Sequence, residues 1–145
     1  MGDSDWTSHN VSFWFAQLEA VKMMQGWVNQ SCEAMPPIVV GHGNAPKQVV
    51  EVLIDTEFSG FVYLPLSVIE SLGLPWISSD SVTLGDGSEV IFQMYRAIVI
   101  WDGQFKVVDV AASESEPLLG MSLQYGFKLK VEAVERGVVT IEAMR

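Results

Sequence analysis

The strongest chemical feature of the sequence is an acid placed directly after an apolar strand. Val49-Val50-Glu51-Val52-Leu53-Ile54 reads as a buried strand, and Asp55 stands at its end, before Thr56, Glu57, Phe58, Ser59 and Gly60. A carboxylate at the end of a buried strand is costly unless it is hydrogen-bonded, paired or put to use. Other chemistries fail on residue type or spacing. Gly41-His42-Gly43 runs on to Pro46 where a dinucleotide-binding loop needs its third glycine. Gly120-Met121-Ser122-Leu123-Gln124 lacks the final glycine of a nucleophile elbow. His9, Cys32 and His42 fall at no metal-ligand spacing, so neither a metal nor another cofactor is expected. A Ser-His-Asp site has only His9 and His42 to draw on, both in loop-like sequence.

Asp55 has to be positioned by a chain that reads mostly as strands. Val11, Trp14, Phe15, Leu18 and Val21 follow helical spacing after Asn10, which predicts a short amphipathic helix in an N-terminal extension, residues 1–23. Short strands are then expected at 27–29 and 35–40, the second confined by Pro36 and Pro37 to an edge or its own start. Residues 61–64 form a further strand, and Pro65 opens a short helix over 66–72 that Gly73 and Pro75 close. Residues 82–84 and 89–92 flank Gly85-Asp86-Gly87-Ser88, a hairpin signal, and 95–101 and 104–110 flank Asp102-Gly103, a second one. An acidic loop, 113–117, leads to Leu118-Leu119-Gly120 and a helical segment at 121–125; residues 127–134 and 138–143 form a last hairpin. No linker splits residues 24–145. The expected fold class is mainly β: a small closed antiparallel barrel with one or two short helices.

In this order the segments resemble the retropepsin-like aspartic proteases, single-lobe relatives of pepsin. In bacterial members an apolar strand ends in Asp-Thr-Gly-Phe-x-Gly, followed by Leu-x-Leu-Pro. Here the stretch reads Leu53-Ile54-Asp55-Thr56-Glu57-Phe58-Ser59-Gly60-Phe61-Val62-Tyr63-Leu64-Pro65. Pro117-Leu118-Leu119-Gly120-Met121-Ser122-Leu123 is similar to the family's second signature, two apolar residues and a glycine leading into a helix. Between them, Leu84-Gly85-Asp86-Gly87-Ser88 falls where the family places its flap hairpin. The resemblance implies a catalytic Asp55, an active-site loop of Thr56, Glu57 and Phe58, a flap at Leu84, Gly85, Asp86 and Gly87, and a supporting motif of Leu118, Leu119 and Gly120.

Aspartic proteases use two carboxylates that share one proton, because both cannot ionise a few ångströms apart. The sequence holds one candidate of this kind. Asp80, Asp86, Asp102 and Asp109 lack the preceding buried strand followed by Thr/Ser-Gly. A complete site then requires two copies of the chain, with Asp55 of each at the axis of a homodimer. The resemblance further implies that Thr56 ties the two loops across that axis and that the hairpin tip closes over an extended peptide or protein substrate. Strands near both ends of the domain, notably 138–143, are the expected dimer sheet.

Glu57 stands where the family has glycine. Glycine lets two backbones approach closely and adopt conformations that a Cβ hinders. In a dimer Glu57 also adds two carboxylates beside the two Asp55 groups, and at about 6 Å each like-charge pair costs roughly 3 kcal/mol at an effective dielectric near 20. Two functions are thereby set against each other. One is a homodimeric aspartic endopeptidase in which Asp55 activates a water for peptide-bond hydrolysis. The other is a catalytically impaired retropepsin-like module for binding or dimerisation, and Glu57 favours it.

Composition bounds the partners. A chain of 145 residues with 49% hydrophobic and 18% charged residues supports one compact core and excludes a mostly disordered or collagen-like protein. Eighteen acidic residues against 8 Lys+Arg, a net charge of -10, leave no basic patch for a phosphate backbone or an anionic membrane. Neither nucleic acid nor membrane is an expected partner. One cysteine, an acidic rather than basic N-terminus, and apolar stretches too short to span a bilayer point to the cytoplasm.

Overall fold

The computed structural model describes residues 24–43, 46–83 and 86–144. The expected N-terminal helix lies outside the described residues, as do Leu84 and Gly85 of the expected flap.

Strands dominate the described chain. They are β1 (Met24–Val28), β2 (Ala34–Met35), β3 (Pro37–Gly41), β4 (Gln48–Glu51), β5 (Leu53–Ile54), β6 (Val62–Leu64), β7 (Trp76–Thr83), β8 (Glu89–Trp101), β9 (Gln104–Ala112), β10 (Leu118–Leu119), β11 (Phe127–Val131) and β12 (Val138–Ala143). Two short helices interrupt them, α1 (Leu66–Leu72) and α2 (Met121–Gln124). Helix α1 has the boundaries its punctuation predicts. Pro65, extended, precedes it, and Gly73 ends it in the left-handed region at φ 65°, where a side chain would be strained.

The larger sheet runs β4-β3-β8-β9-β6-β10-β5, with β7 added on β8. Its two terminal strands, β4 and β5, are consecutive parts of one extended stretch interrupted at Val52. The chain therefore bonds to β3 with residues 48–51 and to β10 with residues 53–54, and the sheet is brought round on itself. Val52, at the interruption, is fully buried, and its N–H donates to the Pro36 carbonyl at 3.1 Å. This is the barrel-like, mainly β architecture expected. Within it, β6–β9 and β5–β10 are parallel ladders, which sequence-adjacent hairpins cannot make. Val40, Val62, Leu64, Ile69, Leu72, Val99, Val110, Leu119 and Leu123 fill the interior.

A second sheet, β11-β12-β1-β2, contributes Met24 and Ile141 to the same core, with Phe127 and Leu129 packed against it. Strand β12, expected to form the dimer sheet, pairs with β1 on one edge and β11 on the other, so its hydrogen-bonding groups are used within the chain. Among the described strands, β11 and β2 are the outer ones of this sheet.

Candidate active site

The site grows from the parallel pairing of β5 with β10. Leu53 lies beside Leu118 and Ile54 beside Leu119, so Gly120 stands level with Asp55. The Asp55 N–H donates to the Leu119 carbonyl at 3.0 Å. Beyond it the acid turns its own loop: Asp55 Oδ1 accepts the Glu57 N–H at 3.0 Å, and the Asp55 carbonyl accepts the Phe58 N–H at 3.3 Å. An Asp side chain accepting from the backbone two residues on is a standard way to stabilise a turn.

The rest of the loop is held by residues 120–122. The Gly120 N–H donates to the Phe61 carbonyl at 2.8 Å, the Met121 N–H to the Phe58 carbonyl at 2.7 Å, and the Ser122 N–H to the Gly60 carbonyl at 3.1 Å. The Ser122 hydroxyl donates to the Ser59 carbonyl. Two glycines make this close approach feasible. A Cβ on Gly120 would lie 2.1 Å from the Gly60 carbonyl oxygen, and one on Gly60 would lie 2.4 Å from the Phe58 ring. The Phe58 ring occupies the space so left and stacks on Tyr63 with centroids 3.8 Å apart. Tyr63 in turn stacks on Phe92, at 5.4 Å.

These three rings, from the loop, β6 and β8, line a cleft of about 530 Å³ together with Asp55, Glu57, Asp80, Met94 and Asp109. Strand register explains the company. Phe92 is opposite Asp80 in the β7–β8 hairpin, and Tyr63 and Met94 both lie beside Ala111 of β9. Directly opposed residues share a sheet face. Tyr63, Ala111 and Met94 thus form one row across three strands, with the small Ala111 as its low point. Asp109, two residues earlier on β9, pairs with Arg96 at 3.2 Å.

Among the described residues, two groups are electrostatically displaced. Burial, and secondarily the charge of Asp55, raises the Tyr63 phenol above its usual value of 10.0, so it remains a neutral hydrogen-bond donor at the cleft. At the hairpin turn, the Ser88 hydroxyl and N–H both donate to Asp86 Oδ1, at 2.6 and 2.9 Å, and hold its carboxyl below the ordinary range.

Of the residues singled out from the sequence, Asp55, Glu57 and Phe58 line the cleft. Thr56 is exposed beside them. Glu57 is exposed too, and its φ is not positive, so its backbone does not use the conformation that favours glycine. Asp86 and Gly87 occupy the hairpin turn, with Gly87 at φ +87°. Leu119 is buried behind Asp55, and Leu118 to Gly120 act from outside the cleft. Sequence reasoning missed Tyr63, Asp80, Phe92 and Met94 as cleft residues. The serines of 78–81 hid the start of β7, and with it the cross-strand pairing of Asp80 and Phe92.

The fold has a counterpart among solved structures. The chain matches a retropepsin-like aspartic protease from Rickettsia conorii with a TM-score of 0.51, over 85% of this chain and 92% of that one, at 18% sequence identity. No protein-family model matches the sequence, and no curated protein matches it significantly. The chain has the retropepsin-like fold. Among the described residues no helix is long and apolar enough to cross a membrane.

Proposed function

We propose that the protein is an aspartic endopeptidase that acts as a homodimer, with one Asp55 from each subunit. The observation that carries this is the placement of Asp55: at the end of β5, its carboxylate oriented by the Glu57 N–H, and opening onto the cleft of a retropepsin-like fold. Gly120, level with Asp55 on the neighbouring strand, leaves the second carboxylate to another copy. The two acids share one proton. The ionised one takes a proton from a water, whose oxygen attacks the scissile carbonyl, while the protonated one donates to the carbonyl oxygen. Collapse of the tetrahedral intermediate breaks the C–N bond as the amine takes the proton lifted from the water, and a hydroxyl of the intermediate returns its proton to the other carboxylate, leaving the pair with one proton again. The substrate is an extended peptide under the β7–β8 hairpin. The exposed, unpaired thiol of Cys32 suits a reducing compartment such as the cytoplasm.

The test is cleavage of an unstructured protein by wild type and Asp55→Asn side by side. Wild type cleaves between about pH 4 and 6 and is blocked by a statine-type transition-state analogue. Asp55→Asn reduces cleavage by about a thousandfold or more; retained cleavage overturns the assignment. Sedimentation that shows only monomer at high micromolar concentration overturns the shared site.

One observation favours a second function, a non-catalytic binding or dimerisation module. Glu57 is exposed beside Asp55, so a dimer built on this loop gathers four carboxylates at its axis. A stable dimer without cleavage, made active by Glu57→Gly, identifies that case.

A further inference from the structure

We infer that the cleft selects an arginine side chain of the bound peptide. The inference rests on the reading of the cleft as a peptide site and adds the identity of the side chain it takes. What carries it is the juxtaposition of a stacked aromatic surface with a carboxylate on the same sheet face. Phe58, Tyr63 and Phe92 present a continuous run of rings from the Asp55 loop to the hairpin. Asp80 lies directly across the hairpin from Phe92, so its carboxylate and the last ring share one side of the ribbon and both line the cleft.

A flat cation fits both features at once. A guanidinium stacks on an aromatic face and offers parallel N–H donors to a carboxylate, whereas an ammonium acts as a point charge and a phenyl ring satisfies only the stack. The aliphatic stem of arginine suits Tyr63 and Met94, which line the same cleft. The cleft's other β-strand carboxylate already shows this preference within the molecule, since Asp109 holds Arg96 at 3.2 Å. Asp80 accepts the Ser78 hydroxyl at 3.1 Å and has no cation within ion-pair distance among the described residues. Its charge is therefore available to a ligand. An acidic side chain is disfavoured, because Asp55 and Glu57 line the same cleft.

Binding is measured with the full-length Asp55→Asn protein, so that intact peptides survive. The probes are blocked hexapeptides of one neutral sequence, varied at a single position among Arg, Lys, Phe, norleucine and Glu. Arg binds about tenfold tighter than norleucine, Lys and Phe fall between them, and Glu is weakest. Asp80→Asn removes most of the Arg advantage, weakening the Arg peptide several times more than the norleucine peptide. Asp102→Asn, which removes a charge at the distant β8–β9 turn, leaves the whole order intact. Phe92→Leu weakens Arg and Phe peptides together. The inference is overturned if norleucine or Phe binds as tightly as Arg, or if Asp80→Asn weakens all peptides equally. Failure of the protease function is read separately, as an absence of Asp55-dependent cleavage in the wild type. An Arg preference that persists alongside it leaves the cleft assignment standing.

Discussion

Two short strands, β5 and β10, lie side by side and parallel, and at the same height one ends in Asp55 and the other in Gly120. Both are two residues long, both carry apolar pairs, and both lead into a tight segment. The difference between them is one of available space. Asp55 opens onto the cleft, with a carboxylate oxygen turned to its own loop. Gly120 is buried, and the Gly60 carbonyl occupies the place its side chain would take. The loop that presents one acid is packed against the position where a second would stand. Position 120, level with Asp55, therefore has no room for a second carboxylate.

Substitutions on the two strands test that contrast. The largest effect is expected at Gly120. In Gly120→Ala the new methyl meets a backbone carbonyl at 2.1 Å, so the Phe58–Phe61 loop has to shift. The variant loses about 3 kcal/mol in denaturant unfolding, the upper part of the range for overpacking. A variant as stable as wild type removes the steric reason for the asymmetry. Next comes the difference between the apolar neighbours, about half as large. Leu119 is fully buried, and Leu119→Ala costs about 3 kcal/mol; Ile54, half-buried on β5, costs about half as much when cut to alanine. Equal losses at the two positions indicate that the strands are supported alike, against the packing described.

Glu57→Gly has a smaller effect and sharpens the catalytic side of the comparison. Because Glu57 does not occupy a positive-φ conformation, glycine relieves no backbone strain and gains only freedom in the unfolded chain. The monomer is destabilised by about 0.5–1 kcal/mol. Self-association strengthens as the added carboxylates leave the axis, and no change in association removes Glu57 as an obstacle to the dimer. The smallest effect is spectroscopic. The Tyr63 phenol ionises above 10.0 through burial and, secondarily, the charge of Asp55. In Asp55→Asn its titration, followed by phenolate absorbance, moves down but stays above that value, since burial remains. The sign for stability follows: with the folded value raised, this contribution is complete below pH 10.0 and declines as pH rises towards the folded value. An unchanged titration shows that the phenol does not sense the acid.

Much of this architecture was legible where local chemistry decides it. Pro65 and Gly73 bracket α1, Asp102-Gly103 turns β8 into β9, and the apolar run into Asp55 marks β5 and the site. Local patterns fail where pairing is between distant segments. Serines at 78, 79 and 81 carry no apolar alternation, and β7 is a strand because β8 extends beyond the barrel and offers it an edge. The hairpin at 127–143 is visible as a hairpin, but nothing in it shows that β1 occupies the far edge of β12. The aromatic wall was hidden for the same reason. Phe58, Tyr63 and Phe92 are five and twenty-nine residues apart and meet only through register.

The sequence by itself determined that an acid, Asp55, directly follows an apolar strand and precedes a short loop ending in Ser59-Gly60, with a Leu-Leu-Gly later in the chain. Those are properties of residue type and spacing, and hydrophobic burial with turn chemistry is enough to read them. Only the tertiary structure decided that Gly120 stands level with Asp55 with no room for a side chain, and that Asp80 shares a face with Phe92. Both depend on which strands are neighbours and in what register. That is set by the burial of the whole core, and a one-residue slip would send every side chain of the strand to its opposite face.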